Sequence, residues 1–174
     1  MTTPSFYRRM WQTKSGSFFQ LRACPEVWQY STCELIKERK AADVLLQQRM
    51  AEQVNTDIGF AALYEKQTGI FIGEAGILSV RWSVDRCEVG YNLLPEYWGR
   101  GYATEVTQAL LGYAFHTMHM ERVEALAMAD NIASCRVLEK SGLRREGVLR
   151  HFTKLDGRYL DVDYYGIIRE DRTI

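Results

Sequence analysis

Between Cys87 and Leu94 apolar and polar residues alternate: Val89, Tyr91 and Leu93 interleave with Glu88, Gly90 and Asn92. That period of two predicts a half-buried strand. Pro95 ends it, because proline offers no N–H to a ladder. From about Tyr102 the period changes to that of a helix. Val106, Leu110, Ala114 and Met118 recur every four residues, while Glu105, Gln108 and His116 fall off the stripe, so the helix packs on a sheet through one face. Between strand and helix lies the turn Trp98-Gly99-Arg100-Gly101.

The same reading extends to the rest of the chain. Ser5 to Met10 predicts a short strand and Ser17 to Ala23 a helix, with a break at Cys24-Pro25-Glu26-Val27. From Thr32 to Gln53, Leu35, Ile36, Val44, Leu45, Leu46 and Met50 fall largely at helical spacing, which predicts one amphipathic helix or two. Ile58 to Tyr64 and Ile70 to Val80 flank Gln67-Thr68-Gly69 as a hairpin. Gly73 and Gly76 inside its second strand signal a bulge or a close backbone approach. Arg122 to Ala129 predicts a strand parallel to the central one, since a helix connects them. Asn131 is placed to cap a short helix ending near Gly142. Leu143 to Lys154 and Tyr159 to Arg169 flank Asp156-Gly157 as a closing hairpin. The expectation is an α/β fold with a mixed sheet, as one domain over residues 1–174.

Composition narrows the picture only a little. Hydrophobic content of 47% and charged content of 25% suit an ordinary globular protein. The formal net charge of zero gives no bulk field to hold nucleic acid or an anionic membrane, and neither is expected as a partner. Cys24, Cys33, Cys87 and Cys135 show neither close pairing nor histidines at metal-ligand spacing, so no metal is expected and reduced thiols are. The start M-T-T-P-S lacks the apolar core of a secretion signal, and a cytoplasmic location is expected.

A strand, a glycine-bearing turn and a helix N-terminus aim several backbone N–H groups at one point, which makes a phosphate cradle. The turn lacks the Lys-Ser/Thr pair of a nucleoside-triphosphate loop and the third glycine of a dinucleotide loop. The run G-Y-N-L-L-P-E-Y-W-G-R-G-Y-A-T-E instead resembles the acetyl-coenzyme-A signature of the GNAT superfamily of N-acetyltransferases. It looks most like the branch that includes the ribosomal-protein N-terminal acetyltransferases. N-I-A-S-C-R-V-L-E-K-S-G-L, from Asn131, and the closing pattern from Gly147 to Asp171 add to the resemblance in the right order.

The resemblance implies a mostly antiparallel sheet with one parallel pair splayed at the cofactor site, flanked by helices. It implies acetyl-CoA as donor, a primary amine as acceptor and a homodimer. The pyrophosphate would be gripped from Trp98 through Gly99, Arg100, Gly101, Tyr102 and Ala103 to Thr104. The pantetheine arm would follow the strand near Leu93 and Leu94, with Asn131 and Ser134 close to the sulfur. Transfer needs a base for the amine and an acid for the thiolate. Glu88, on the strand the donor follows, is the first choice of base and Glu96 the second. Much of the superfamily has a tyrosine where this chain has Leu138; Ser134 looks like the replacement acid. The favoured acceptor is a protein N-terminal α-amino group, whose reference pKa of about 7.7–8.0 asks less of a base than the ~10.4 of lysine. A polyamine, amino acid or amino sugar is the alternative acceptor, and a non-catalytic CoA-binding sensor the alternative class. His116, His119 and His151 lack useful partners in sequence, and Asp161 and Asp163 read either as a solvated strand face or as an attraction for a cationic acceptor.

Overall fold

The computed structural model describes residues 6–9, 15–31, 33–53, 58–155 and 157–172. Seven strands among them form one sheet in the order β1-β2-β3-β4-β5-β7-β6. The strands are β1 (Phe6–Arg9), β2 (Gly59–Glu65), β3 (Phe71–Arg81), β4 (Arg86–Leu93), β5 (Arg122–Met128), β6 (Arg144–Leu155) and β7 (Arg158–Ile168). Helices α1 (Ser15–Ala23), α2 (Pro25–Trp28), α3 (Arg39–Gln53), α4 (Tyr102–His116) and α5 (Ile132–Lys140) cover it. Of the expected turn and terminal residues, Met1 to Ser5, Met10, Thr32 and Asp156 lie outside the described residues.

Every neighbouring pair is antiparallel except β4 and β5, which α4 connects in parallel. That ladder is short: it runs from Arg86↔Arg122 to Glu88↔Glu124 and stops. Beyond it β4 stays on β3 as far as Leu93, while β5 stays on β7 as far as Met128. The pair therefore opens immediately after Glu88, and the edge of β4 there has no β5 partner. The close approach at Gly76 is severe, since a Cβ there would sit 1.9 Å from the Gly59 carbonyl oxygen. At Gly73 it would sit 2.2 Å from that of Asn92. Both glycines are needed to let β3 lie against its neighbours.

One face of β4 enters the main core, where Cys87, Val89 and Leu93 pack with Val106, Leu110 and Ala114 of α4. Met118 falls past the end of α4 and is half-buried. A second, smaller cluster joins Phe18 and Leu21 of α1 to Ala42 and Leu46 of α3.

Two expectations for the first fifty residues change. The break after Cys24 is itself a helical turn, begun by Pro25 at its first position, where the missing N–H costs nothing. The helix expected from Thr32 starts only at Arg39. The Ile36 N–H is held by the Arg22 carbonyl at the end of α1, so this stretch serves as a cap across α1. Val44 and Met50 are exposed and the buried stripe of α3 is Ala42 and Leu46, one turn apart. No helix among the described residues is long and apolar enough to cross a membrane.

Candidate active site

The turn after β4 is shaped by two left-handed glycines, Gly99 at φ 69° and Gly101 at φ 87°. A Cβ at either would meet no atom within 4 Å, so their role is backbone conformation beside an open space. Gly101 caps α4 without any side-chain hydrogen bond. The first intrahelical bond runs from the Glu105 N–H to the Gly101 carbonyl, which leaves the N–H groups of Tyr102, Ala103 and Thr104 facing outward. The Trp98 indole holds the turn down by donating to the Leu93 carbonyl at 2.7 Å.

A cavity of about 730 Å³ opens there, lined by Leu93, Trp98, Gly99, Gly101, Ala103 and Thr104 on one side and by Asn131, Ser134 and Lys140 of the α5 region on the other. A second cavity of about 300 Å³ lies against it, lined by Glu88, Gly90, Arg22, Arg49, Trp28 and Phe60. Tyr91, Asn92, Asn131 and Ser134 line both. At this junction the Asn131 side chain accepts the Ser134 N–H at 3.1 Å and caps α5. The Ser134 hydroxyl lies 3.2 Å from that of Tyr91.

The family described as acetyltransferase (GNAT) domain matches residues 7–144. The chain belongs to the GNAT acetyltransferases. It is an acetyl-CoA-dependent N-acetyltransferase. It is 35% identical over 121 residues to the uncharacterized N-acetyltransferase YoaA of Bacillus subtilis, covering 63% of this chain and 68% of that one. It is 28% identical over 103 residues to the [ribosomal protein uS5]-alanine N-acetyltransferase of Escherichia coli, covering 59% and 53%. Among solved structures, a GNAT-family acetyltransferase from Bacillus anthracis superposes with a TM-score of 0.85 at 24% identity, covering 97% of this chain and 98% of that one. The spermidine N-acetyltransferase of Vibrio cholerae, in complex with CoA and spermine, superposes with a TM-score of 0.80 at 18% identity over 96% and 97%.

The larger cavity has the size, the outward N–H groups and the glycine conformation that a long diphosphate donor such as acetyl-CoA requires. Three residues expected to touch the donor do not line it. Leu94 is buried against the α1–α3 cluster and its N–H donates to the Ile72 carbonyl, so it has no N–H left for a thioester. The Tyr102 hydroxyl bonds Glu65, which pushes the phenol up to about 12 and the Glu65 carboxyl down. The Arg100 guanidinium lies 5.8 Å from the Tyr97 ring.

Glu88 is half-buried and lines the smaller cavity. Burial raises its carboxyl above the ordinary value; the Ser79 hydroxyl opposes that rise and the Glu124 charge across the ladder adds to it. Glu124 itself is held by Arg122 at 2.7 Å and Arg86 at 3.2 Å. Glu96 is exposed and lines neither cavity. His116, His119 and His151 are exposed, Asp163 pairs with Arg145 and Asp161 accepts the His151 N–H. Among the described residues no cluster of ligands suited to a metal occurs. Sequence reasoning passed over Tyr91, Asn92 and Arg22. Tyr91 was absorbed into the apolar alternation of β4, although its hydroxyl was the signal available.

Proposed function

We propose that the protein acetylates a primary amine, in the first place one of the α-amino kind, with Glu88 as base and Ser134 as acid. The observation that carries the reading is the junction of the cavities: the donor space and the space beside Glu88 share Ser134, Asn131, Tyr91 and Asn92. The amine sheds its proton to Glu88, directly or through a water, and its lone pair forms the new C–N bond at the thioester carbonyl. Backbone N–H groups on the unpaired edge of β4 stabilise the oxyanion. As the C–S bond breaks, the thiolate takes the Ser134 proton, and the Tyr91 hydroxyl stands ready to replace it. Leu138, buried and without a polar atom, takes no part.

An α-amine suits a single carboxylate base because its reference pKa of about 7.7–8.0 lies near neutrality. The E. coli relative named for a ribosomal-protein alanine supports an α-amino acceptor, while the V. cholerae neighbour acts on spermidine. The lining of the smaller cavity favours the former, since among its described residues Glu88 is the one acid and Arg22 and Arg49 are basic.

The deciding experiment compares thermal shifts with acetyl-CoA, CoA, ATP and NADH, followed by thiol release with amine acceptors. Donor at a hundredfold excess over its dissociation constant should add about 2.7 kcal/mol of stability. Stabilisation by both CoA species alone, and turnover lost in Glu88→Gln, is the expected result. Equal shifts with ATP, or turnover unchanged in both Glu88→Gln and Ser134→Ala, would remove these assignments.

A further inference from the structure

We propose that the acceptor amine carries an anionic group, a carboxylate or a phosphate, which docks on Arg22 while its nitrogen faces Glu88. The inference rests on the acceptor role of the smaller cavity given above. It names the substrate as a small zwitterion rather than a polyamine.

Arg22 sits at the end of α1, only 6% exposed, and lines the smaller cavity. Its guanidinium lies 3.9 Å from the centre of the Trp28 ring. That ring is fixed in turn by its indole N–H, which donates to the Leu21 carbonyl at 2.7 Å. The fork is therefore held in place before any ligand arrives. Its own hydrogen bonds are poorly met. Nη2 reaches the Glu34 carbonyl at 3.5 Å, and Nε is buried with no partner. A guanidinium has five N–H donors, and leaving them unmet inside a protein is costly.

The nearby carboxylate does not resolve this. Glu74 is completely buried and feels the Arg22 charge, but its oxygens are taken by Arg49 at 2.6 Å and by the Asn92 amide at 2.9 Å. The Glu74 carboxyl is thus engaged by Arg49, and Arg22 forms no ion pair among the described residues. Glu88, on the sheet side of the cavity, carries the negative charge. Sheet and helix layers thus present opposite charges to a space of about 300 Å³, the low end of the range for small-molecule sites. An α-amino acid or a phosphorylated amine complements that pattern. A polycation meets Arg22 with like charge.

Matched amines test the idea on the intact protein with acetyl-CoA. Phenylalanine is compared with phenethylamine, and phosphoethanolamine with ethanolamine, with spermidine as the polycation. We expect the acid-bearing member of at least one pair to exceed its partner in kcat/KM by about tenfold or more, the worth of a hydrogen-bonded charge. The pair that shows the gap tells carboxylate from phosphate. The same amine should raise the melting temperature of the CoA-saturated protein. Arg22→Gln should collapse the ratio and Arg22→Lys restore part of it. Because Arg22 is buried, each variant is checked for its thermal shift with CoA, and the wild-type comparison stands if a variant fails to fold. Spermidine or the neutral amines matching the acid-bearing ones overturns the inference. So does a CoA complex that both acid-bearing amines leave unstabilised and unreacted. If acetyl-CoA is neither bound nor consumed, the transferase mechanism falls; if it is consumed with neutral amines alone, only the anionic group falls.

Discussion

Glu88 combines a position on the last rung of the β4–β5 ladder, where the two strands part, with a carboxyl raised by burial. A base works deprotonated, so kcat/KM must fall as pH drops through that raised value. It must also fall below the pKa of the amine, near about 7.7–8.0 for an α-amino acceptor. Glu88→Gln should lower the rate on the order of a hundredfold or more and erase the lower limb while leaving the amine limb in place. A variant profile with both limbs intact would assign the lower one to another group. Ser134 and Tyr91, with hydroxyls 3.2 Å apart, should act as one unit. Ser134→Ala and Tyr91→Phe should each reduce kcat, and the double variant should be little worse than Ser134→Ala alone. Losses that simply multiply would show that the two hydroxyls work apart. Tyr91 also shows where sequence reading stops. Alternation along a strand says which face a side chain takes, not what its tip meets, and the tip of Tyr91 meets a helix more than forty residues away.

The strand–turn–helix unit was legible because all its determinants are local: a period of two, a proline, two glycines, then a period near four. The cap by Asn131 and the hairpin turn before Phe71 are local in the same sense. The late start of α3 was not legible, because residues before Arg39 are held by the end of α1 rather than by their own propensity. Locality also makes the cradle testable. Gly101→Ala forces a left-handed φ of 87° on a residue with a Cβ, at about 1 kcal/mol of stability. It also places a methyl group at the wall of the larger cavity, so KM for acetyl-CoA should rise well beyond what that loss explains. An unchanged KM would move the phosphates elsewhere. The buried pair that joins α3 to β3 is testable by unfolding. Burial pushes the Glu74 carboxyl up, while Arg49, Asn92 and Arg22 pull it back. Glu74→Gln removes the buried carboxylate from its pair with Arg49 and should cost about 3 kcal/mol in denaturant unfolding. A loss below about 1 kcal/mol would mean that Glu74 is already protonated.

Among the described residues the molecule packs around two apolar clusters of unequal size. The larger unites twenty-one buried residues, mostly from the sheet, α4 and α5, and borders the larger cavity. The smaller has eight, contributed mainly by α1, α3 and β2, and the helices of this layer supply Arg22, Trp28 and Arg49 to the acceptor cavity. Less buried apolar area means less work to open a layer. The α1–α3 layer should therefore exchange its amide hydrogens through openings smaller than global unfolding, while β3, β4, β5 and α4 exchange only with the whole. Acetyl-CoA should add protection to the turn from Trp98 to Thr104 and to the first turn of α5, and leave α1 and α3 nearly as before. An acceptor, bridging Glu88 on the sheet to Arg22 on α1, should protect that outer layer in addition. Hydrogen-exchange mass spectrometry with CoA alone, and then with CoA and an acid-bearing amine, reads both steps. Full protection of α1 and α3 by CoA alone would mean that one cooperative unit spans both clusters, with the acceptor wall already closed when the amine arrives.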